Sequence, residues 1–503
     1  MEALPQALES IFCWQGLTLV FAGSMLALLM GMLPGLSSTE AMLILLPFTF
    51  SLNLSDSMML LNGAYASAFV GGAVTSIMFG IPGSSTTIAT VLDGYPMRQQ
   101  GKGLVAIGAA NMSSMFGGLF SIVLVIVLLP FMGPVSLMFG PPEWFVFVLF
   151  GLIILSFAGE GTFPRAMMSA ALGILAGTIG LSEVTGDARF SFDIAFLWGG
   201  IPIIPAFIGL YPFAEAIDLI DVKMATAEDD QQQLSTSQAF KDVFAGSKLA
   251  FKHFDKTMLG SFTGWFIGVI PGVGATLANM MSYILAKQLS KDPQSFGKGN
   301  PQGVIAAEAG NNASVGGALI PALALGIPGS LNTAILLSIF LINGIQPGTN
   351  VFQNNLDVTW VILLSVFMGT ILSSAVIMVG GWQIARILQN LDIKLIVPVV
   401  VFIGGIASYL SRGNIFDLVI SLVLGLIGFG MKKYQFSRIS FIIALMLGPL
   451  LESSFFQALS IGRGSISIFF KGPVVLSLWV VTVVVSLFFF WKLTRTRLEQ
   501  KKG

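Results

Sequence analysis

Positive charge in this chain is confined to a few short stretches. No lysine or arginine precedes Arg98, none falls between Lys102 and Arg165, and none between Lys298 and Arg386. Each gap is long enough for several apolar crossings of about 20 residues. The intervening residues suit that reading, since 55% of the 503 residues are hydrophobic and only 10% are charged, with a mean hydropathy of +0.87. Soluble domains carry roughly 25% charged residues. The pattern predicts an all-α integral membrane protein of about 12 membrane helices, together with shorter half-helices. Net charge is zero, which gives a nucleic-acid partner no electrostatic support.

The rare residues narrow the chemistry. Cys13 is the sole cysteine and His253 the sole histidine. An internal disulfide and a thiolate metal cluster are therefore ruled out. His253 lies in the polar run Lys252-His253-Phe254-Asp255-Lys256 and reads as a solvated loop histidine, so a Ser-His dyad within the membrane has no base. Enzyme chemistry is not expected, and no cofactor is expected beyond a coupling Na+ or H+. The N-terminal residues carry Glu2 and Glu9 but no basic residue, unlike a signal peptide.

Apolar spans are expected near 16–33, 38–50, 58–80, 104–131, 143–158, 164–181 and 194–212. They resume near 257–287, 303–328, 330–343, 358–380, 393–410, 414–430, 438–451 and 473–491. Between the two groups lies a polar segment that includes Glu228-Asp229-Asp230-Gln231-Gln232-Gln233. The expected organisation is a first membrane repeat over 1–217 and a cytoplasmic connector over 218–256. A second repeat follows over 257–472, then a last helix with a basic tail over 473–503.

The division into halves rests on repeated letters. Gly31-Met32-Leu33-Pro34-Gly35-Leu36 is matched by Gly268-Val269-Ile270-Pro271-Gly272-Val273. Gly80-Ile81-Pro82-Gly83-Ser84 recurs unchanged as Gly326-Ile327-Pro328-Gly329-Ser330. A threonine follows that serine by three residues in each copy, at Thr87 and Thr333. Loop charges suggest how the halves are related. The loop after the first motif, Ser51 to Ser57, has no basic residue, whereas its counterpart carries Lys287, Lys291 and Lys298. After the second motif the bias reverses: Arg98 and Lys102 in the first half, and none from Asn343 to Asp357. Short cytoplasmic loops collect Lys and Arg. Matching loops on opposite sides are the mark of inverted repeats. By the same rule the tail, with Lys492, Arg495, Arg497, Lys501 and Lys502, is cytoplasmic.

Proline has no N–H and clashes with the preceding turn, so each Pro-Gly breaks its apolar helix. The freed backbone groups are too costly to leave in lipid and must face protein or a wet cavity. Each break also opens a new half-helix, whose free N–H groups and positive dipole end attract anions. Hydroxyls and amides gather there and can bond a carboxylate without adding fixed charge. A lone Pro-Gly is ordinarily a kink, but four in a repeated arrangement suggest a site. The candidate substrate-binding residues are Pro34, Gly35, Ser37 and Ser38; Pro82, Gly83, Ser84, Ser85 and Thr86; Pro271, Gly272, Gly274 and Thr276; and Pro328, Gly329, Ser330 and Asn332. Asn311 and Asn312 join them from the span before the fourth break. Glu308 is an acid inside that span, where such residues are costly and usually functional. Glu308, Thr87 and Thr333 are the candidates for ion coupling. Asp93, in Leu92-Asp93-Gly94-Tyr95-Pro96, reads as a turn cap.

Taken together, the motifs resemble the large membrane subunit of the tripartite tricarboxylate transporters, the TctA family. The resemblance rests on Phe296-Gly297-Lys298-Gly299, Gly303-Val304, Glu308, Asn311-Asn312, Gly316-Gly317-Ala318-Leu319-Ile320-Pro321 and Leu325-Gly326-Ile327-Pro328-Gly329. Leu92 to Met97 and Gly101-Lys102-Gly103 add to it. Gln302 stands where the family suggests Glu, and Ala307 where it suggests Pro; neither touches a break. The resemblance implies a permease of the bacterial inner membrane. Its partners would be a small membrane subunit of about four spans and a periplasmic solute-binding protein. It would take up citrate-like tricarboxylates or related organic acids on an ion gradient, by alternating access. An organic-anion channel is the main alternative, and a membrane-embedded enzyme a weaker one.

Overall fold

The computed structural model describes all residues except 1–2, 34–35, 159–161, 183, 221–235, 349–350, 352–353, 382, 385–395 and 501–503. Pro34, Gly35, the acidic and glutamine run at 228–233, and Lys501 and Lys502 therefore lie outside the described residues.

The first half opens with α1 (Ala3–Phe12), α2 (Trp14–Gly31), α3 (Ser38–Thr49), α4 (Leu54–Phe79), α5 (Ile88–Gln99) and α6 (Gly103–Leu137). Helices α7 (Pro141–Ala158) and α8 (Phe163–Gly177) come after these. Next is a two-residue hairpin of β1 (Gly180–Leu181) and β2 (Ala188–Arg189). Then come α9 (Ile203–Ile208), a π-helical turn over Gly209–Phe213, and α10 (Ala214–Ile220). The span expected at 194–212 is thus corrected. Ala195–Gly199 forms only a 3-10 turn, the α-helix begins after Pro202 at Ile203, and Pro212 lies within the π turn.

Part of the polar connector is helical. Helix α11 (Thr236–Lys252) is amphipathic and lies along α6, where its Gly246 packs on the Val105 carbonyl. His253 separates α11 from α12 (Phe254–Val269). It is half-buried, and burial, then Lys252, push its imidazole below its usual value. The apolar stretch expected over 257–287, with a break at Pro271-Gly272, forms two helices. Ile270 leaves α12 in extended conformation and α13 (Gly274–Gln288) restarts after Pro271-Gly272. The second half continues with α14 (Pro301–Leu325), α15 (Leu331–Ile342), α16 (Leu356–Val376), α17 (Ile396–Leu410), α18 (Ile415–Lys433), α19 (Arg438–Ile461) and α20 (Pro473–Gln500).

Among the described residues, six helices are long and apolar enough to cross a membrane: α2, α4, α6, α16 with its π-helical extension, α18 and α19. Seven shorter apolar helices accompany them. Helix α14 falls outside the six although it is buried along its length, because Glu308, the asparagines and the glycines dilute its apolar character. It is a core helix rather than a lipid-facing one.

Equivalent helices touch alike in the two halves. Gly23 and Gly31 of α2 press on the carbonyls of Leu60 and Ala68 in α4. Gly260 and Gly268 of α12 press on those of Ala306 and Ser314 in α14, with the same step along both helices. The exchange continues outward. Gly117 of α6 meets the Ala309 carbonyl of the second half, and Gly369 of α16 meets Gly63 of the first. Small residues let backbones approach this closely, which is how helices gain contact where lipid removes the hydrophobic drive between them.

Candidate functional site

Each break is built by local backbone chemistry. Gly80 and Gly326 end α4 and α14 in the left-handed conformation, with φ of +69° and +64°. Glycine takes this at little cost where other residues would be strained. Pro82-Gly83 and Pro328-Gly329 then carry the chain to Ser84 and Ser330. These serines cap the helical turns that restart the chain: each is paired reciprocally with the threonine three residues on, Thr87 and Thr333. The Ser330 N–H donates to Thr333 Oγ1 at 2.9 Å. The hydroxyls of Thr87 and Thr333 are thus engaged in holding the restart of each half-helix. Break one restarts in the same way. Ser37 caps α3, and the Glu40 carboxylate accepts from the Ser37 N–H at 2.7 Å and from its hydroxyl. This is a capping box.

The breaks lie together in the fold. The Thr276 hydroxyl of break three donates to Ser85 of break two at 3.3 Å. The Gly272 N–H of break three donates to the Gly329 carbonyl of break four at 3.0 Å. From break four, Asn332 reaches break one: its amide donates to Ser38 Oγ at 2.6 Å and its side-chain carbonyl accepts from Thr39 at 2.8 Å. Tyr65 of α4 meets Ser330 at 3.0 Å. One chain of contacts therefore runs from break two through three and four to one.

The two cross-half pairs differ in exposure. Ser38, Thr39, Pro328, Gly329 and Asn332 are buried. On the other pair Ile81, Pro82, Ser85 and Thr276 are exposed, with Thr86 and Gly274 between these extremes. Pro271 and Gly272 are buried behind them. Gly83 and Gly329 sit against the preceding helix so tightly that a methyl group on either would lie 2.6 Å from the Gly72 carbonyl oxygen or 2.7 Å from the Ala318 Cα.

Glu308 is fully buried beside the exposed pair. Its carboxylate accepts from Thr90 of α5 and, at 3.0 Å, from Ser114 of α6, and it has no ion-pair partner among the described residues. Asn279 of α13 completes the group, donating to the Ala307 carbonyl at 3.1 Å and accepting from the Ala89 N–H at 2.9 Å. Asn311 lies within electrostatic reach of Glu308, yet none of its amide atoms has a hydrogen bond of good geometry. Asn312, 1% exposed, has no hydrogen-bond partner for either amide atom among the described residues, and its Cβ packs beside Gly118 of α6 and Thr370 of α16. Buried amides are ordinarily satisfied, so the Asn312 amide is left with hydrogen-bonding capacity for a ligand or water.

Asp93 caps a turn, but a turn of the other half. Its Oδ1 accepts from the N–H groups of Gly297, Gly299 and Asn300 at 2.8–2.9 Å, and Tyr283 donates to its Oδ2 at 3.0 Å. Gln100 adds a bond to the Lys298 carbonyl at 2.8 Å. The two basic loops, after α5 and after α13, thus lie side by side.

Sequence reasoning missed Glu40, Tyr65, Thr90, Ser114 and Asn279. The Ser37 to Glu40 spacing is a legible cap signature. The others are polar residues in apolar helices, and only packing tells which of them meet.

The chain matches the family model described as tripartite tricarboxylate transporter TctA family over residues 17–443. Two similar proteins come from Agrobacterium vitis. One, described as an uncharacterized 52.8 kDa protein in the TAR-I ttuC′ 3′ region, is 31% identical over 93% of this chain and 92% of its own length. The other, described as an uncharacterized protein in the TAR-II ttuC′ 3′ region, is 32% identical over 44% of this chain and 93% of its own. No solved structure matches.

Proposed function

The chain belongs to the tripartite tricarboxylate transporter TctA family, and from that premise we propose that it takes up citrate-like tricarboxylates or related organic acids on an ion gradient, by alternating access. The family is one of transporters, so the chain is a multi-pass transport protein and not an enzyme. The finer reading is ours. The halves are inverted repeats, about a dozen segments cross the bacterial inner membrane, and the C-terminal tail is cytoplasmic. The permease works with a small membrane subunit and a periplasmic solute-binding protein. Substrate binds among the four breaks near the midplane, with Asn311 and Asn312 facing it, and Glu308 carries the coupling Na+ or H+.

The observation that carries this reading is the unequal exposure of the two cross-half pairs. Breaks one and four are closed on each other through Ser38, Thr39 and Asn332, while Ser85 and Thr276 at breaks two and three are exposed. Equivalent gates in unequal states suit a carrier caught open to one side, whereas a channel would leave both accessible. The contact between the Arg98–Lys102 loop and the Lys298 loop supports inversion, because it gathers basic loops of opposite rank in the two repeats on one face.

The test is uptake of labelled citrate and other di- and tricarboxylates into proteoliposomes holding the permease and its small subunit. It is run with and without the binding protein, and with Na+ and proton gradients imposed separately. Gradient-dependent accumulation is expected. Passive equilibration without coupling would point to a channel, and no flux of any carboxylate would sink the reading.

A further inference from the structure

Away from the four breaks, a cavity of about 510 Å³ opens where the end of α15 meets the 179–202 segment, the start of α9 and the middle of α19. That volume suits a small organic ligand. Two guanidinium groups line it. Arg189 is gripped by Glu452, with both terminal nitrogens on the carboxylate at 2.7 and 2.8 Å, while its buried Nε has no hydrogen-bond partner among the described residues. Arg412 bonds Asp417 through Nε at 3.1 Å and Nη2 at 2.5 Å. Asp417 is fully buried and does not line the cavity, whereas Arg412 does, and its Nη1 makes no hydrogen bond among the described residues. The cavity wall therefore presents two cations and one carboxylate, Glu452. Ser338 and Ser453 add hydroxyls, and Trp198 stands at the wall with aliphatic neighbours.

Position gives this chemistry a use. Helix α15 starts at break four and ends at the cavity, and Ser338 lies about 9 Å along the helix axis from Asn332. The cavity thus lies at the far end of the helix that starts at break four, and none of its lining residues belongs to breaks two or three. The loop after α15 carries no basic residue from Asn343 to Asp357, which places it outside in the proposed orientation.

We propose that this cavity is a second carboxylate site, a vestibule on the outer side that holds a substrate anion while the gate formed by Ser38, Thr39 and Asn332 is shut. Arg412 offers its free edge to one carboxylate of the ligand. Arg189 exchanges Glu452 for another, since planar guanidinium forks suit paired carboxylate oxygens. The inference rests on the proposed function for the identity of the anion.

Two readouts test it on the full-length protein. In proteoliposomes, Arg189→Gln and Arg412→Gln should each raise the KM for external citrate at least tenfold and leave the maximal rate within about twofold. An unchanged KM in both, with the wild type transporting, would overturn the vestibule and leave the proposed function standing. Independently of transport, citrate added to detergent-solubilised protein should change the fluorescence of Trp198, isolated by subtracting a Trp198→Phe variant, and Arg412→Gln should abolish that change. If wild type fails to accumulate any carboxylate but this signal appears, the site survives and the proposed function falls. No signal from citrate, or a signal from phosphatidylglycerol alone, overturns the site in favour of an empty or lipid-filled cleft. Should either glutamine variant misfold, Arg189→Lys and Arg412→Lys keep the ion pairs but lose the fork, and a wild-type KM in both would equally overturn it.

Discussion

Thr39 and Asn332 lie 293 residues apart in the chain, yet the threonine hydroxyl donates to the asparagine side-chain carbonyl at 2.8 Å inside the buried pair of breaks. The Asn332 amide is spent on Ser38 at 2.6 Å. One side chain therefore ties the fourth break to the first. Removing it leaves two hydroxyls of α3 without partners in a buried place. Asn332→Ala should cost about 1–3 kcal/mol of stability and cut carboxylate uptake more than tenfold. A double-mutant cycle with Thr39→Val, read by thermal unfolding and by uptake, measures the tie directly. Additive effects would show that the two breaks act separately.

Asn312 should show stability and transport moving in opposite directions. Both its amide atoms are buried without hydrogen-bond partners among the described residues. Burying a polar group unpaired is costly. Asn312→Leu should leave stability unchanged or raise it by roughly 1 kcal/mol, read by thermal unfolding, while uptake falls at least tenfold. A variant that keeps full uptake would remove Asn312 from the substrate site.

Glu308 accepts from Thr90 and Ser114 and has no cationic partner among the described residues. Glu308→Gln keeps an oxygen acceptor in the same place but cannot hold a charge. Counterflow exchange of labelled citrate should survive in this variant, and accumulation against a Na+ or proton gradient should be lost. If accumulation keeps its ion dependence, the coupling ion sits elsewhere.

Gly329 leaves no room for a side chain, since a methyl group would lie 2.7 Å from the Ala318 Cα. Gly329→Ala should overpack the break and destabilise the protein by about 1–3 kcal/mol. Gly83→Leu and Gly329→Leu should insert into the membrane and fail to transport. Wild-type uptake in both leucine variants would count heavily against the breaks as the site.

Asp93 holds three backbone N–H groups of the 297–300 turn. Asp93→Ala orphans all three, and the loss should exceed about 2 kcal/mol. Proteolysis of the loop between α13 and α14 should quicken accordingly. An unchanged cleavage rate would show that the turn holds itself.

What was readable in the sequence was local. A run of apolar residues forms a helix wherever its backbone must satisfy itself, and Pro-Gly interrupts it wherever it stands. The restarts were equally local, because a serine and the threonine three residues later cap a helix between themselves. The expected start at 194 went astray because Pro202 stands among residues as apolar as any span, and hydropathy does not register that the residues before it form only a short 3-10 turn.

The four Pro-Gly breaks, their order and their doubling were thus written in the sequence by itself, since each depends only on residues within a turn or two. Which breaks meet was decided by tertiary structure alone. Asn332 reaches Ser38 and Thr39, Thr276 reaches Ser85, and Glu308 finds Thr90 and Ser114, because glycine-lined helices of the two halves pack closely enough to bring them together. Hydrogen bonds act over about 3 Å. Only the packing of helices distant in the chain can set separations that small, so the buried pair of breaks, the exposed pair and the buried carboxylate between helices of both halves had no signature in the order of the residues.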